Sequence, residues 1–244
     1  MKPIHLIFKT VSTVFLVLAL ILPASAGGGF LDPSKDGGTD YRDRLLFLGE
    51  STTAHLRSRG VLAGGTSTDR VLAPKSGTMM LNRRILSARV IEPQSGKEMP
   101  IPEAVAARRP EILVLSFGLN GILGFVSQKD SYLEPYKTLI RGIRSASPET
   151  VIVLQTVYPV AEHPTEWKFS QAPAEINRAI ETVNAYLPEI AEAEGVFIAD
   201  TASVLRDANG YLRADFSSDG IHLTRLGYEA VLGYLQTHCV EVAE

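Results

Sequence analysis

Apolar runs of strand length, alternating with helical segments, predict an α/β fold. The expected form is a single doubly wound, three-layer α/β/α domain around a parallel sheet of roughly five strands. Three observations carry this. Residues 111–117 (EILVLSF) and 151–157 (VIVLQTV) carry continuous apolar runs, as strands covered on both faces must. Segments long enough for crossover helices separate such runs, which parallel strands require. The composition, 45% hydrophobic and 21% charged, is that of a globular chain and excludes a disordered one.

In chain order, 44–49 (RLLFLG) reads as a strand ending in glycine, and 51–59 as a short helix. Residues 70–73 form a short strand and 81–90 have a helical pattern. Residues 102–109 are a helix with proline in its first turn, where the missing N–H costs nothing. The strand 111–117 follows, then a helix over 127–145 ending before Pro148. After the strand 151–157, an irregular stretch 158–172 leads to one long amphipathic helix, 173–194, closed by Gly195. Residues 195–200 (GVFIAD) are the fifth strand, and 223–238 the last helix, with Leu226, Ala230 and Tyr234 on one face.

The N-terminus reads as an address. Residues 1–9 are short and basic, 11–22 almost unbroken apolar, and Pro23-Ala24-Ser25-Ala26 offers small residues where a signal peptidase cuts. The apolar run falls short of the ~20 residues that span a bilayer. Residues 1–26 are therefore expected to be a signal peptide that exports the protein to a periplasmic, cell-envelope or secreted location, or to anchor it in a membrane if uncleaved. Residues 27–43 read as a flexible leader and 44–244 as the domain. The whole chain of 244 residues has 24 basic and 27 acidic side chains. Without 1–26, which hold only Lys2 and Lys9, the counts are 22 and 27, a net −5. No basic footprint for nucleic acid exists. The lone Cys239 excludes an internal disulfide and a cysteine-based metal cluster. No HExxH, CxxC or phosphate-binding loop implies a metal or cofactor.

In doubly wound folds the chemistry lies at the carboxyl ends of the strands. There stand Gly49-Glu50-Ser51 after the first strand, Gly118-Leu119-Asn120 after the third, and Asp219-Gly220-Ile221-His222 before the last helix. Singly these are a helix cap, a turn residue and a turn. Together they resemble the blocks of the SGNH/GDSL-type serine hydrolases, over essentially all of 44–238. That resemblance implies a flavodoxin-like sheet and an ester hydrolase. It implies Ser51 as nucleophile, His222 as base and Asp219 as its partner. It also implies an oxyanion hole made by the backbone N–H of Ser51, a glycine N–H and the Asn120 side chain. Gly77 fits the glycine block best; Gly60, Gly64 and Gly65 fit less well. Glu50 stands where the family has aspartate, one methylene longer, so the resemblance does not give its partner.

The chemistry is self-consistent. A serine hydroxyl needs a base, a histidine titrates in the right range, and an acid three residues earlier can hold its second nitrogen. Tyr158, His163 and Trp167, in the stretch after the fourth strand, are candidates to contact substrate. His55, one turn beyond Ser51, reads as surface, and Met79 and Met80 as core filler. The expected partner is a small-molecule or polysaccharide ester, with acetyl or short acyl groups removed from a carbohydrate or cell-envelope substrate. An acyltransferase with the same three residues, or a non-catalytic envelope-binding domain, are the alternatives.

Overall fold

The computed structural model describes residues 28–241, so the segment 1–26 lies outside the described residues. Along the chain run β1 (Gly29–Phe30), α1 (Gly38–Arg42), β2 (Leu45–Gly49), α2 (Ser51–Arg59), β3 (Val71–Leu72), β4 (Arg89–Glu92) and β5 (Lys97–Pro100). Then follow α3 (Ile101–Arg108), β6 (Ile112–Ser116), α4 (Ile122–Ser127), α5 (Asp130–Ala146) and β7 (Val151–Gln155). The chain ends with α6 (Pro173–Asn184), α7 (Leu187–Glu194), β8 (Phe197–Ala199) and α8 (Arg225–Gln236).

Six strands form the main sheet in the order β1-β8-β7-β6-β2-β3, every neighbouring pair parallel. Apart from the added edge β1, this is the winding of flavodoxin-like folds. Successive side chains of a strand point to opposite faces. Leu45 and Phe47 of β2 accordingly join the α2 and α8 layer with Leu56, Tyr228 and Leu232. Leu46 and Leu48 join the opposite layer with Val105, Tyr136 and Ile190. The chain leaves β2 for β3 on one side and later returns to β6 on the other. The switch point therefore falls between β2 and β6, where Gly49 lies opposite Ser116.

Four local expectations are corrected. Residues 81–90 are not a helix: a single 3-10 turn, Ile85–Ser87, leads into β4, which pairs antiparallel with β5. Pro93 and Gly96, at φ +67°, turn this hairpin, while the Glu92 carboxylate accepts the N–H groups of Gln94 and Ser95 at 2.9 and 2.7 Å. The helix expected over 173–194 breaks at 185–186 into α6 and α7. Pro188 explains the break, because it lacks an N–H and its ring would clash with the carbonyl four residues back. The helix expected over 127–145 begins later, at Asp130, preceded by the separate α4. Finally, the stretch read as a flexible leader is docked. Gly29–Phe30 adds the sixth strand beside β8. Leu31 N–H donates to Ile198 O at 2.8 Å, and Tyr41 of α1 is buried against the α8 layer. None of the described helices is long and apolar enough to cross a membrane.

Candidate active site

Strand β2 delivers the chain to the site through Gly49. A Cβ there would lie 2.3 Å from Ser116 O and from Thr53 Oγ1, so only glycine fits. Glu50 then caps α2 with extended backbone, its carbonyl accepting from Thr53 and Ala54 N–H at 3.0 and 3.1 Å. Ser51 is the first residue of α2. Its own N–H meets no acceptor among the described residues, as the first N–H groups of a helix do not.

The partner loop precedes α8. Asp219 Oδ1 accepts from the backbone N–H of Ile221 and His222 at 2.8 and 2.7 Å. Its Oδ2 lies 2.6 Å from His222 Nδ1, and His222 Nε2 lies 3.0 Å from Ser51 Oγ. Burial alone would raise the Asp219 carboxyl; the His222 ring N–H and the two backbone N–H groups outweigh it and hold it below the usual carboxylate range. Gly220 makes the loop possible: its φ is +111°, and a Cβ would fall 2.2 Å from Pro164 Cβ. Two clamps hold the loop and α8 to α2. Arg59 Nε donates to Leu223 O at 3.1 Å, and Tyr228 OH donates to Thr52 O at 2.5 Å. The three residues singled out as Ser51, Asp219 and His222 are thus brought together across 171 residues of chain.

Glu50 finds a partner set of its own. Its carboxylate accepts the backbone N–H of Gly118 at 2.5 Å and of Asn120 at 2.9 Å. The longer side chain spans from β2 to the loop after β6 and ties the two sides of the switch point. Burial pushes its pKa up to about 8, against the lowering pull of the Gly118, Asn120 and Leu119 N–H groups.

The oxyanion donors are only partly arranged as expected. The Asn120 amide donates to Thr78 Oγ1 and to Met79 O, both at 2.9 Å. The Gly77 N–H donates to Pro74 O at 2.9 Å inside its own turn, at φ +76°. Gly77 therefore aims its N–H into the turn, and the Asn120 amide is taken up by Thr78 and Met79 of the neighbouring loop. Ser51 N–H is the donor without an acceptor.

The three loop candidates separate. Tyr158 is buried, its hydroxyl on Gln155 Oε1 at 3.4 Å, which corrects the expectation that it contacts substrate. Trp167 Nε1 donates to Gln171 O at 2.8 Å and its ring packs 5.0 Å from Phe169, so it braces the loop. His163 is 90% exposed, 3.8 Å from Glu162. It lines, with Asp207, Ser218 and Asp219, a cleft of about 310 Å³. This loop packs on the Asp219 turn through Ala161 N–H to Gly220 O and Glu166 N–H to Asp219 O.

Two features escaped the sequence reading. His55 is no surface residue: its ring stacks on His222, centroids 4.1 Å apart and planes at 29°. An i,i+4 pair on α2 with Ser51 was the available signal. The other is an apolar cavity of about 520 Å³ that begins one residue beyond Asn120, walled by Met80, Ile122, Leu123, Phe125, Pro135 and Phe169. Among the described residues no His, Cys, Asp and Glu cluster could hold a metal ion.

The model of the GDSL-like lipase/acylhydrolase family matches residues 47–230. No curated protein matches the chain. Among solved structures, a protein of Streptococcus pneumonia, described provisionally as a platelet activating factor, is 20% identical with TM-score 0.54, over 81% of this chain and 88% of that one. A DUF4886 family protein of Bacteroides uniformis is 16% identical with TM-score 0.51, covering 79% and 82%. A carbohydrate esterase family 3 protein of Talaromyces cellulolyticus is 16% identical with TM-score 0.51, covering 79% and 93%. At these identities the structures share the fold. The family match reaches from the middle of β2 into α8, and so takes in Ser51, Asn120, Asp219 and His222. On that span the chain belongs to the GDSL-like lipase/acylhydrolase family and is an esterase of SGNH type.

Proposed function

We propose that the chain is an exported serine ester hydrolase working through an acyl-enzyme on Ser51. One observation carries the reading: the unbroken line from Ser51 Oγ through His222 to Asp219, at 3.0 and 2.6 Å. In the proposed reaction Ser51 Oγ bonds to the ester carbonyl carbon while its proton passes to His222 Nε2. Asp219 holds the Nδ1–H and balances the imidazolium. The tetrahedral intermediate collapses with cleavage of the C–O bond to the leaving alcohol, which takes the proton from His222. Water, deprotonated by His222 in turn, then releases the acid and restores Ser51. Ser51 N–H is ready for the oxyanion. Asn120 joins it once one of its amide hydrogens leaves Thr78.

The favoured substrate is an acetyl or short acyl ester of a carbohydrate or cell-envelope polymer. Two things support this: the sequence of residues 1–26 and the fold shared with a carbohydrate esterase. The apolar cavity beyond Asn120 favours a second reading, in which the acyl group is longer. The test is a series of p-nitrophenyl esters from acetate to decanoate, with and without Ser51→Ala. Ser51→Ala is expected to abolish turnover and labelling by a fluorophosphonate; undiminished turnover would refute the assignment. A kcat/KM maximum at acetate supports the first substrate reading, and a maximum at eight to ten carbons the second. Product partition in the presence of a sugar acceptor separates hydrolysis from acyl transfer.

A further inference from the structure

His222 has both ring nitrogens engaged, Nδ1 by Asp219 and Nε2 by Ser51. Two in-plane bonds leave the faces of the ring unsupported, and one face is covered. His55, four residues beyond Ser51 on α2, lies against it with centroids 4.1 Å apart and planes at 29°. The contact is built into the fold, because Arg59, one further turn along α2, donates to Leu223 O beside His222. His55 Nδ1 is buried and meets no partner among the described residues, so hydrogen bonding does not explain the placement of the ring. What the ring does touch is the base. We infer that His55 is a positioning residue: its ring acts as a plate that keeps the His222 imidazole in the plane joining Ser51 and Asp219. The inference rests on the reading of Ser51 and His222 as nucleophile and base.

The plate works in one charge state. An uncharged ring presents a π face to the imidazolium formed during the reaction, whereas a protonated one would oppose it. The charged and titratable groups facing His55 are His222 and Asp219 from the loop before α8 and Arg59 from its own helix. Burial, then the charges of His222 and Arg59, hold His55 below the usual histidine value, and Asp219 opposes only in part. His55 is therefore held toward its uncharged form. In the proposed reaction, a proton on either ring leaves a form that cannot turn over.

The test compares full-length wild type, His55→Ala and His55→Phe. Turnover is counted per fluorophosphonate-reactive Ser51, with kcat, KM and pH profiles on p-nitrophenyl acetate. His55→Ala, which removes the plate, is expected to lose about tenfold in kcat with KM little changed, below the ~10² that a 1 Å misplacement costs. His55→Phe, which keeps a flat ring, is expected to regain most of that loss. The acid limb of kcat/KM should approach a slope of two in wild type and one in both variants. A merely structural role would leave that slope unchanged, and would lower the labelled fraction or the melting temperature in place of kcat per site. Equal kcat per labelled site in wild type and His55→Ala, or a wild-type slope of one, overturns the inference about His55 alone. Failure of Ser51 to label in wild type overturns the underlying assignment and this inference together.

Discussion

Replacing Asp219 with asparagine isolates one hydrogen bond and leaves the loop that carries it. Asp219 Oδ1 takes two backbone N–H groups, at 2.8 and 2.7 Å, and Oδ2 takes the His222 Nδ1–H at 2.6 Å. Asparagine has one oxygen. If that oxygen keeps the two backbone bonds, the NH2 group faces His222 Nδ1 and can only donate. His222 is then forced to carry its proton on Nε2, where it cannot accept the Ser51 proton. Wrong-tautomer substitutions of this kind cost about 10⁴ in kcat, equivalent to ~5.5 kcal/mol of barrier. The fold should lose far less. One hydrogen bond to a half-buried ring is worth ~1 kcal/mol, which for a domain of this size lowers Tm by about 2–4 °C. Steady-state kinetics on p-nitrophenyl acetate beside a thermal melt separates the two effects. Retention of more than a tenth of wild-type kcat would refute the role assigned to Asp219.

Glu50→Ala strips the acceptor from two buried N–H groups, those of Gly118 and Asn120. At about 1–3 kcal/mol for each unpaired donor, the expected loss is read by chemical denaturation. Glu50 also sets a pH dependence. Its native pKa of about 8 stands above the ordinary 4.5, so the folded state keeps a proton that the unfolded chain has released. Its contribution to stability is whole below 4.5 and is lost as pH rises toward 8. Glu50→Gln should flatten that fall in denaturation midpoints measured from pH 4 to 9. Gly220→Ala forces a Cβ to 2.2 Å from Pro164 at φ +111°. Such backbone strain costs about 1–3 kcal/mol, and displacement of His222 by the clash should lower kcat by about 10². A Gly220→Ala enzyme with wild-type Tm and kcat would show that the loop has room to yield.

Much of this was legible in the residues themselves. Strands β2, β6 and β7 announced themselves as apolar runs because parallel strands are buried on both faces. Asp219 and His222 lie three residues apart, so local geometry brings them together wherever the turn goes. Elements with weak local signals were lost. β4 buries only alternate residues and β5 buries none, so neither stands out as an apolar run. β1 is two residues long and exists only because β8 offers an open edge. Tyr158 sits in a stretch that reads as a loop, yet its ring is in the core, since irregular backbone can carry buried side chains.

Local patterning was enough for the layered α/β class, the order of the strands that carry chemistry, and the residue types at their ends. Hydrophobic period, caps and turn residues act over a few positions, and those features need no more. Long-range packing alone makes Ser51 meet His222 across the sheet, Glu50 bridge the switch point to Gly118 and Asn120, Asn120 and Gly77 spend their N–H groups on the 74–79 loop, and His55 lie on the base. Each of these depends on packing between elements distant in the chain or on which way one helix face turns. The physical reason is range: period and capping are local forces, while the approach of β2, β6 and the α8 loop is set by the burial of two whole faces of a sheet.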